Sequence, residues 1–314
     1  KLCSLTRILL SLSLSVLLCA PGYTLATEKQ SQTFVLGAIS GKPKKHIEHG
    51  TPMANYLASK LQRFGYTGGR VKVASDLDQM ALWLRDGQVD LVTETVFSAL
   101  ALKERVGAEL LARRWKKGVA QYASVFITKH DSHINALTDL TGKAIVFEDR
   151  GSSSGYFIPA AMLIEQGLEL FEISSTSSPV PAGKVGILFA NEQLNASSEI
   201  NISVWVYQGQ VAAGAYRDRD WKNSKAAPPK IKEGLRIFHQ STHFPRSLMV
   251  ARASLPSEVK SALQEALFNA EQDEAGIAAL KSYQQTKRFD ALDSKSLRAL
   301  KEGERLRRIV ATQL

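Results

Sequence analysis

Cysteine is confined to one end of this 314-residue chain, at Cys3 and Cys19. From residue 27 onward there is none, which excludes a disulfide framework, thiolate catalysis and thiolate metal ligation. The fold must be held together by its core alone. Long hydrophobic runs are also missing beyond the N-terminus: nothing there approaches the ~20 apolar residues of a membrane span, so a soluble product is expected. There is no internal repeat and no long low-complexity linker. The histidines, His46, His49, His130, His133, His239 and His243, show no compact spacing with a helical glutamate. Neither a metal nor a cofactor is expected, and the pair His130-x-x-His133 is read as solvated.

What is present begins with an export signal. Lys1 and Arg7 give a basic start, Ile8 to Cys19 an apolar run, Pro21-Gly22 a break, and Thr24-Leu25-Ala26 small residues at a cleavage site. Residues 1–26 therefore read as a cleavable signal peptide and the product as periplasmic. Bulky Leu18 argues against a lipid anchor at Cys19. The chain opens on Lys1 rather than methionine, which leaves room for residues before it. Some 288 residues follow the signal, enough for two domains of about 100–200 residues. Lys+Arg 40 against Asp+Glu 30 gives +10, or +8 without Lys1 and Arg7. A basic balance suits nucleic acid, a membrane or a small anion; dispersed charge and export argue against nucleic acid. The single concentration noted, Arg298, Lys301, Arg305, Arg307 and Arg308, reads as the solvated face of a terminal helix.

Strand-like and helix-like segments alternate, which points to α/β architecture. Strands are expected over 33–39, 70–74 and 89–93. Between them lie a helix opened by Thr51-Pro52 and stopped by Gly65, and another from Asp76 through Arg85. A β-like stretch over 122–129 leads to a second series: a strand over 144–148, a helix over 153–166, a strand over 185–190, a helix near 200–207 and a short strand over 211–216. Residues 222–232, with Ala226-Ala227-Pro228-Pro229, read as a surface loop. Strands over 235–240 and 248–253 follow, and everything after Pro256 reads as helical, with Val259, Leu263 and Leu267 on its buried face. Two crossings, at 122–129 and 235–246, would divide the chain into one lobe of 27–124 with 242–314 and another of 125–241. A cleft between such lobes suits a small solute. Asn195-Ala196-Ser197 and Asn201-Ile202-Ser203 match glycosylation acceptors, a pattern common by chance.

The most informative stretch is Phe147-Glu148-Asp149-Arg150-Gly151-Ser152-Ser153-Ser154-Gly155-Tyr156, a strand end, a Gly/Ser turn and a helix start. Unpaired N–H groups and the positive end of the dipole meet there, so a tetrahedral anion can accept from them and from the hydroxyls of Ser152, Ser153 and Ser154. The same serines would equally serve as an ordinary helix cap. Gly151 to Gly155 also matches the nucleophile elbow of serine hydrolases, with Asp218 or Asp220 and His239 or His243 following in hydrolase order.

The order of Gly37-Ala-Ile-Ser40, Asp86-Gly-Gln-Val-Asp-Leu-Val92, Leu140 to Phe147, Ser152 to Tyr156, Gly209 to Tyr216 and Phe244 to Arg252 resembles the phosphate/phosphite/phosphonate-binding proteins of ABC importers, over roughly 32–270. The resemblance implies a two-lobed type II periplasmic-binding-protein fold with two crossover strands, non-catalytic, delivering a small oxyanion to an ABC permease as a monomer. It implies that Ser152, Ser153, Ser154 and Gly155 grip the anion from one lobe. Glu94, Thr95 and Phe97 would line the cleft from the other, with Ser40, Tyr216 and Arg246 as further candidates. Members that bind amino-phosphonates place acids near the second crossing; Thr242 to Ser247 has none, which disfavours an aminoalkyl ligand. The alternatives carried forward are the serine hydrolase and an exported sensor reporting to a membrane kinase.

Overall fold

Two six-stranded sheets organise the chain in the computed structural model, which describes residues 31–194 and 199–313. The expected signal segment, both cysteines and Asn195-Ala196-Ser197 lie outside the described residues. In the first sheet Gln32–Ile39 lies between Tyr66–Ala74 and Leu91–Glu94, parallel to both. Leu248–Ala251, Glu109–Lys116 and Thr286–Asp290 extend it through antiparallel pairs. In the second, Ala144–Phe147 lies between Lys184–Phe189 and Ala213–Arg217, parallel to both. Glu169–Glu172 closes one edge; Ser124–Lys129 and then Leu235–Gln240 form the other. Each sheet thus has a strand whose successors lie on opposite sides, and the carboxyl ends of such strands are where open α/β sheets bind ligands.

The inner parallel strands are largely buried, as strands covered on both faces must be, with Phe34, Leu91, Ile145 and Val146 fully inaccessible; the edge strands Tyr66–Ala74 and Glu169–Glu172 are mostly half-buried or exposed. The chain passes between the sheets twice, and the two passages are bonded to each other. Gln121–Tyr122 pairs with Phe244–Pro245, Ser241 N donates to Ser124 O at 2.9 Å, and Arg246 N donates to Ala120 O at 2.7 Å. The last helix, Ser294–Gln313, packs on Val96–Val106 beside the first sheet and on Ile158–Glu165 beside the second. Its charges are not merely solvated: Glu304 pairs with Lys103 at 2.8 Å, Arg305 pairs with Glu165, and Arg307 pairs with Glu104.

Several sequence expectations are corrected. The first helix begins at Pro43 and runs to Lys60, so Pro52 lies inside it. Proline is at home in a first turn, and Pro43 takes that place nine residues earlier; the Thr51 hydroxyl donates back to Ile47 O at 2.7 Å. The helix Val96–Val106 and the strand Glu109–Lys116 fall where no element was expected, as does Glu169–Glu172. The tail after Pro256 is not all helix, because Thr286–Asp290 enters the first sheet. Ala226 and Ala227 are buried rather than looped out, and Pro229–Glu233 is a short helix. Ser203, within the second acceptor triplet, is a buried helical residue.

Candidate functional site: the serine turn and a cationic cavity

The strand Ala144–Phe147 ends at Glu148, and the chain turns through Asp149 to Ser152 into a widened helical turn, Ser153–Phe157, continuing as the helix Ile158–Glu165. Ser152 caps it: its hydroxyl oxygen accepts from Gly155 N at 2.9 Å and its proton goes to Glu148 Oε2 at 2.7 Å. Only glycine fits at 155, since a Cβ there would stand 2.5 Å from both Cβ and Oε2 of Glu148. Burial, with Asp149, Glu199 and Asp220 nearby, pushes the Glu148 carboxyl up to about 7. The Ser154 carbonyl accepts from the Ser124 hydroxyl at 2.7 Å.

Ser153, 2% exposed, reaches the first sheet. Its hydroxyl donates to Thr95 Oγ1 at 2.9 Å and accepts from Phe97 N at 3.3 Å. Thr95 is the residue before the helix Val96–Val106 and makes no cap bond of its own. Two helix starts, one from each sheet, therefore share one hydroxyl, and the unpaired N–H groups of both converge there. Phe97 stacks on Phe157 with ring centroids 5.2 Å apart, packing the same contact.

Thr95 also borders a cavity of about 150 Å³ at the carboxyl ends of Gln32–Ile39 and Leu91–Glu94. Its walls include Glu94, His46, His49, Lys116, Arg246 and Tyr283. The electrostatics are positive. Burial and the neighbouring Arg114, Arg246, Lys117 and Arg217 push the Lys116 ammonium down to about 7. Burial and Arg217 bring the Arg246 guanidinium down to about 10. Behind them Arg114 is fully buried with no carboxylate partner among the described residues. It donates to Thr286 Oγ1 at 2.8 Å and Tyr283 O at 2.7 Å, and lies 3.8 Å from the Tyr283 ring centroid. Cations desolvated without counter-charges favour an anion beside them. The hydroxyls of Tyr283 and of Tyr122, which neighbours Ser153 and Arg246, are buried without a well-formed hydrogen bond among the described residues. Buried donors of this kind normally have partners. Burial outweighs the nearby Lys116 at Glu94 and pushes its carboxyl up to about 7, so near neutrality it can donate a proton rather than only repel.

Of the sequence candidates, Glu94, Thr95 and Arg246 border the cavity. Ser153 and Phe97 join it through Thr95, while Ser152, Ser154 and Gly155 build the turn behind. Ser40 lies one residue past the cavity floor, and its hydroxyl oxygen accepts from Lys42 N at 3.0 Å. Tyr216 goes elsewhere. Side chains alternate along a strand: Ala213 and Ala215 face the same core as Phe147, whereas Tyr216 turns to the opposite core and shares a 3.1 Å hydrogen bond with Ser203. Residues the sequence reading passed over are Arg114, Lys116, Tyr283 and the two histidines as cavity walls. A signal existed, because Arg113-Arg114-Trp115-Lys116-Lys117 puts four bases in five residues.

The hydrolase arrangement is not assembled. Among the described residues Ser153 has Thr95 and Phe97 as partners; Asp220 pairs with Arg217 at 2.7 Å, Asp218 accepts from Arg219 N, and His239 packs against Phe126. Among the described residues no three His, Cys, Asp or Glu side chains converge on a metal position. No helix among them is long and apolar enough to cross a membrane.

Known proteins share this fold. A Xanthomonas citri protein, solved bound to chloride ion and bound to ATP, superposes with a TM-score of 0.80 in both states at 29% and 28% identity, covering 90% of this chain and at least 99% of that one. PhnD1 from Prochlorococcus marinus in complex with methylphosphonate superposes at 0.59 with 18% identity, covering 89% of this chain and 98% of its own, a likeness of fold. The phosphonates-binding periplasmic protein of Escherichia coli is 26% identical over 266 residues, 82% of this chain and 70% of that protein. The phosphate-import protein PhnD of Mycolicibacterium smegmatis is 39% identical over 71 residues, 21% of this chain and 22% of that protein. The neighbours share the two-lobed α/β fold of periplasmic binding proteins. Residues 37–297 match the model of the phosphonate ABC transporter periplasmic substrate-binding proteins, and the chain belongs to that family.

Proposed function

We propose that this protein captures a small tetrahedral oxyanion of the phosphonate or phosphate class and presents it to an ABC permease. The observation that carries the reading is Thr95, which is bonded to the serine turn and also borders the cationic cavity. Ser152, Ser153, Ser154 and Gly155 hold the anion from the lobe 125–241. Glu94, Thr95, Phe97 N and Arg246 hold it from the lobe of 27–124 and 242–314, with Ser40 supporting the cavity floor. Arg246 supplies a planar, bidentate positive charge. Glu94 either donates its own proton or accepts one from a P–OH group, which favours protonatable oxyanions over sulfate. With no acid between Thr242 and Ser247, a ligand ammonium would have no partner there. The paired passages at Gln121–Tyr122 and Phe244–Pro245 are the hinge about which the lobes close. The mature protein is read as a periplasmic monomer released from residues 1–26, and as a binder with no reaction at Ser153. The ATP and chloride held by the Xanthomonas citri neighbour are anions, as this reading requires.

A thermal-shift panel with phosphate, phosphite, methylphosphonate, sulfate and small carboxylates tests it. Ligand at a hundredfold excess over its dissociation constant stabilises by about 2.7 kcal/mol. Phosphonate-class anions are expected to raise the melting temperature and carboxylates are not; if no phosphorus oxyanion does, the reading fails.

A further inference from the structure

The cavity does not end at its own walls. His49, Lys116 and Gln284 line it and also line an open groove of about 710 Å³ whose other walls include Lys45, Lys117 and Lys281. No carboxylate lines that groove. Lys60, Lys103, Lys129, Lys184 and Lys260 each pair with a carboxylate, whereas among the described residues Lys42, Lys44 and Lys230, with others, do not; what sets the groove apart is that several such lysines line one concave surface. Among the described residues no ion pair engages Lys45, Lys116, Lys117 or Lys281.

The backbone there is also unusual. Lys117, Gln284 and Gln285 have φ of 53°, 54° and 54°, the left-handed region that non-glycine residues enter only at a cost. Among the described residues no other non-glycine positions do so, and all three line the groove. The two turns are clipped together, Lys117 N donating to Gln285 O at 3.0 Å. The fold thus spends local strain to hold unpaired cations around the mouth of an anion cavity. His46, on the cavity wall, is held below its ordinary value by burial and by Lys116, Lys45 and Arg114, as an electropositive region requires.

We propose that this groove is a second anion subsite continuous with the first, and that the preferred solute is a diphosphate, one phosphoryl group in the cavity and the next among Lys45, Lys117 and Lys281. The inference rests on the oxyanion reading above and narrows its ligand.

The test is calorimetric titration of the full secreted chain with orthophosphate, methylphosphonate and inorganic pyrophosphate, without divalent cations. It is repeated on the Lys45→Ala/Lys281→Ala double variant and on a Lys42→Ala/Lys44→Ala control. All four lysines are exposed, so the variants should fold. Pyrophosphate is expected to bind at least tenfold tighter than orthophosphate. The groove variant should erase that advantage while leaving methylphosphonate within twofold, and the control should keep it. Pyrophosphate binding no tighter than orthophosphate, or an advantage that survives in the groove variant or vanishes equally in the control, overturns the second subsite and leaves the oxyanion reading standing. If none of the three anions binds, both fall.

Discussion

The two walls of the proposed site are built on opposite plans. The serine wall is neutral and internally satisfied: Ser152 serves Glu148 and Gly155 N, Ser153 serves Thr95 and Phe97 N, and the Ser154 carbonyl is taken by Ser124. The facing wall is charged and under-paired, with Lys116, Arg246 and the Arg114 behind them forming no salt bridge among the described residues, and with a tyrosine hydroxyl left over. Neutral donors that already have partners exchange one hydrogen bond for another when an anion arrives, so their net gain is small. Desolvated cations gain a counter-charge they lacked. The charged wall should therefore set affinity, while the serine wall sets geometry and reports closure.

The sharpest way to break that division is Arg246→Ala. Hydrogen bonds to charged groups contribute about 1.5–3 kcal/mol, so methylphosphonate affinity should fall by about 10- to 100-fold in calorimetry. Arg246→Lys should recover part of it, because a point charge cannot bind bidentately. Ser153→Ala, on the other wall, should cost about fivefold, from roughly 1 kcal/mol for one neutral hydrogen bond. If the serine variant costs more than the arginine variant, the roles of the walls are reversed.

Glu94 stands at the junction, and its effect depends on pH. Its folded-state carboxyl, at about 7, is raised from an ordinary 4.5. A raised acid contributes stability that is fully present below about pH 4.5 and is lost as pH rises through about 7. Glu94→Gln carries no such loss. Its melting temperature should match the wild type near pH 4.5, pull ahead between 4.5 and 7, and hold a constant lead above that. Anion affinity of the wild type should fall past pH 7 as Glu94 ionises. Lys116, also near 7, loses its charge over the same range, so the substitution should flatten the decline rather than abolish it. A melting difference independent of pH would place the Glu94 carboxyl outside the buried wall.

The same two walls differ in how readable they were from sequence. The serine turn is local: strand end, small residues and helix start are consecutive, and Ser152 to Gly155 announce a capped turn without any knowledge of the rest of the chain. The charged wall is assembled from distant pieces. Lys116 ends a strand, Glu109–Lys116, whose last four residues are Arg113-Arg114-Trp115-Lys116, which no alternation rule reads as buried. That strand is made possible by partners far away, Arg113 by Asp290 at 2.7 Å and Arg114 by Thr286 and Tyr283. Arg246 was reached through family resemblance rather than pattern. The helix Val96–Val106 starts without a capping bond from Thr95, whose hydroxyl oxygen accepts from Ser153 instead, a contact between distant parts of the chain. Alternation was legible in outline, so both sheets could be anticipated, but which face of Ala213–Arg217 looks toward the cleft was not.

Tyr216 turns that last point into the smallest expected binding effect. Its ring is fully buried in the core behind the second sheet, and its hydroxyl meets Ser203 rather than the cavity. Tyr216→Phe keeps the ring and removes one hydrogen bond, leaving the Ser203 hydroxyl buried without that partner. The cost to stability is about 1 kcal/mol, a fall of about 2–4 °C in melting temperature for a chain of this size. Affinity for methylphosphonate should stay within experimental scatter of the wild type, because nothing on either wall touches the lost oxygen. A variant that melted normally yet bound several-fold more weakly would move Tyr216 into the site and make the second sheet, not only its serine turn, a source of affinity.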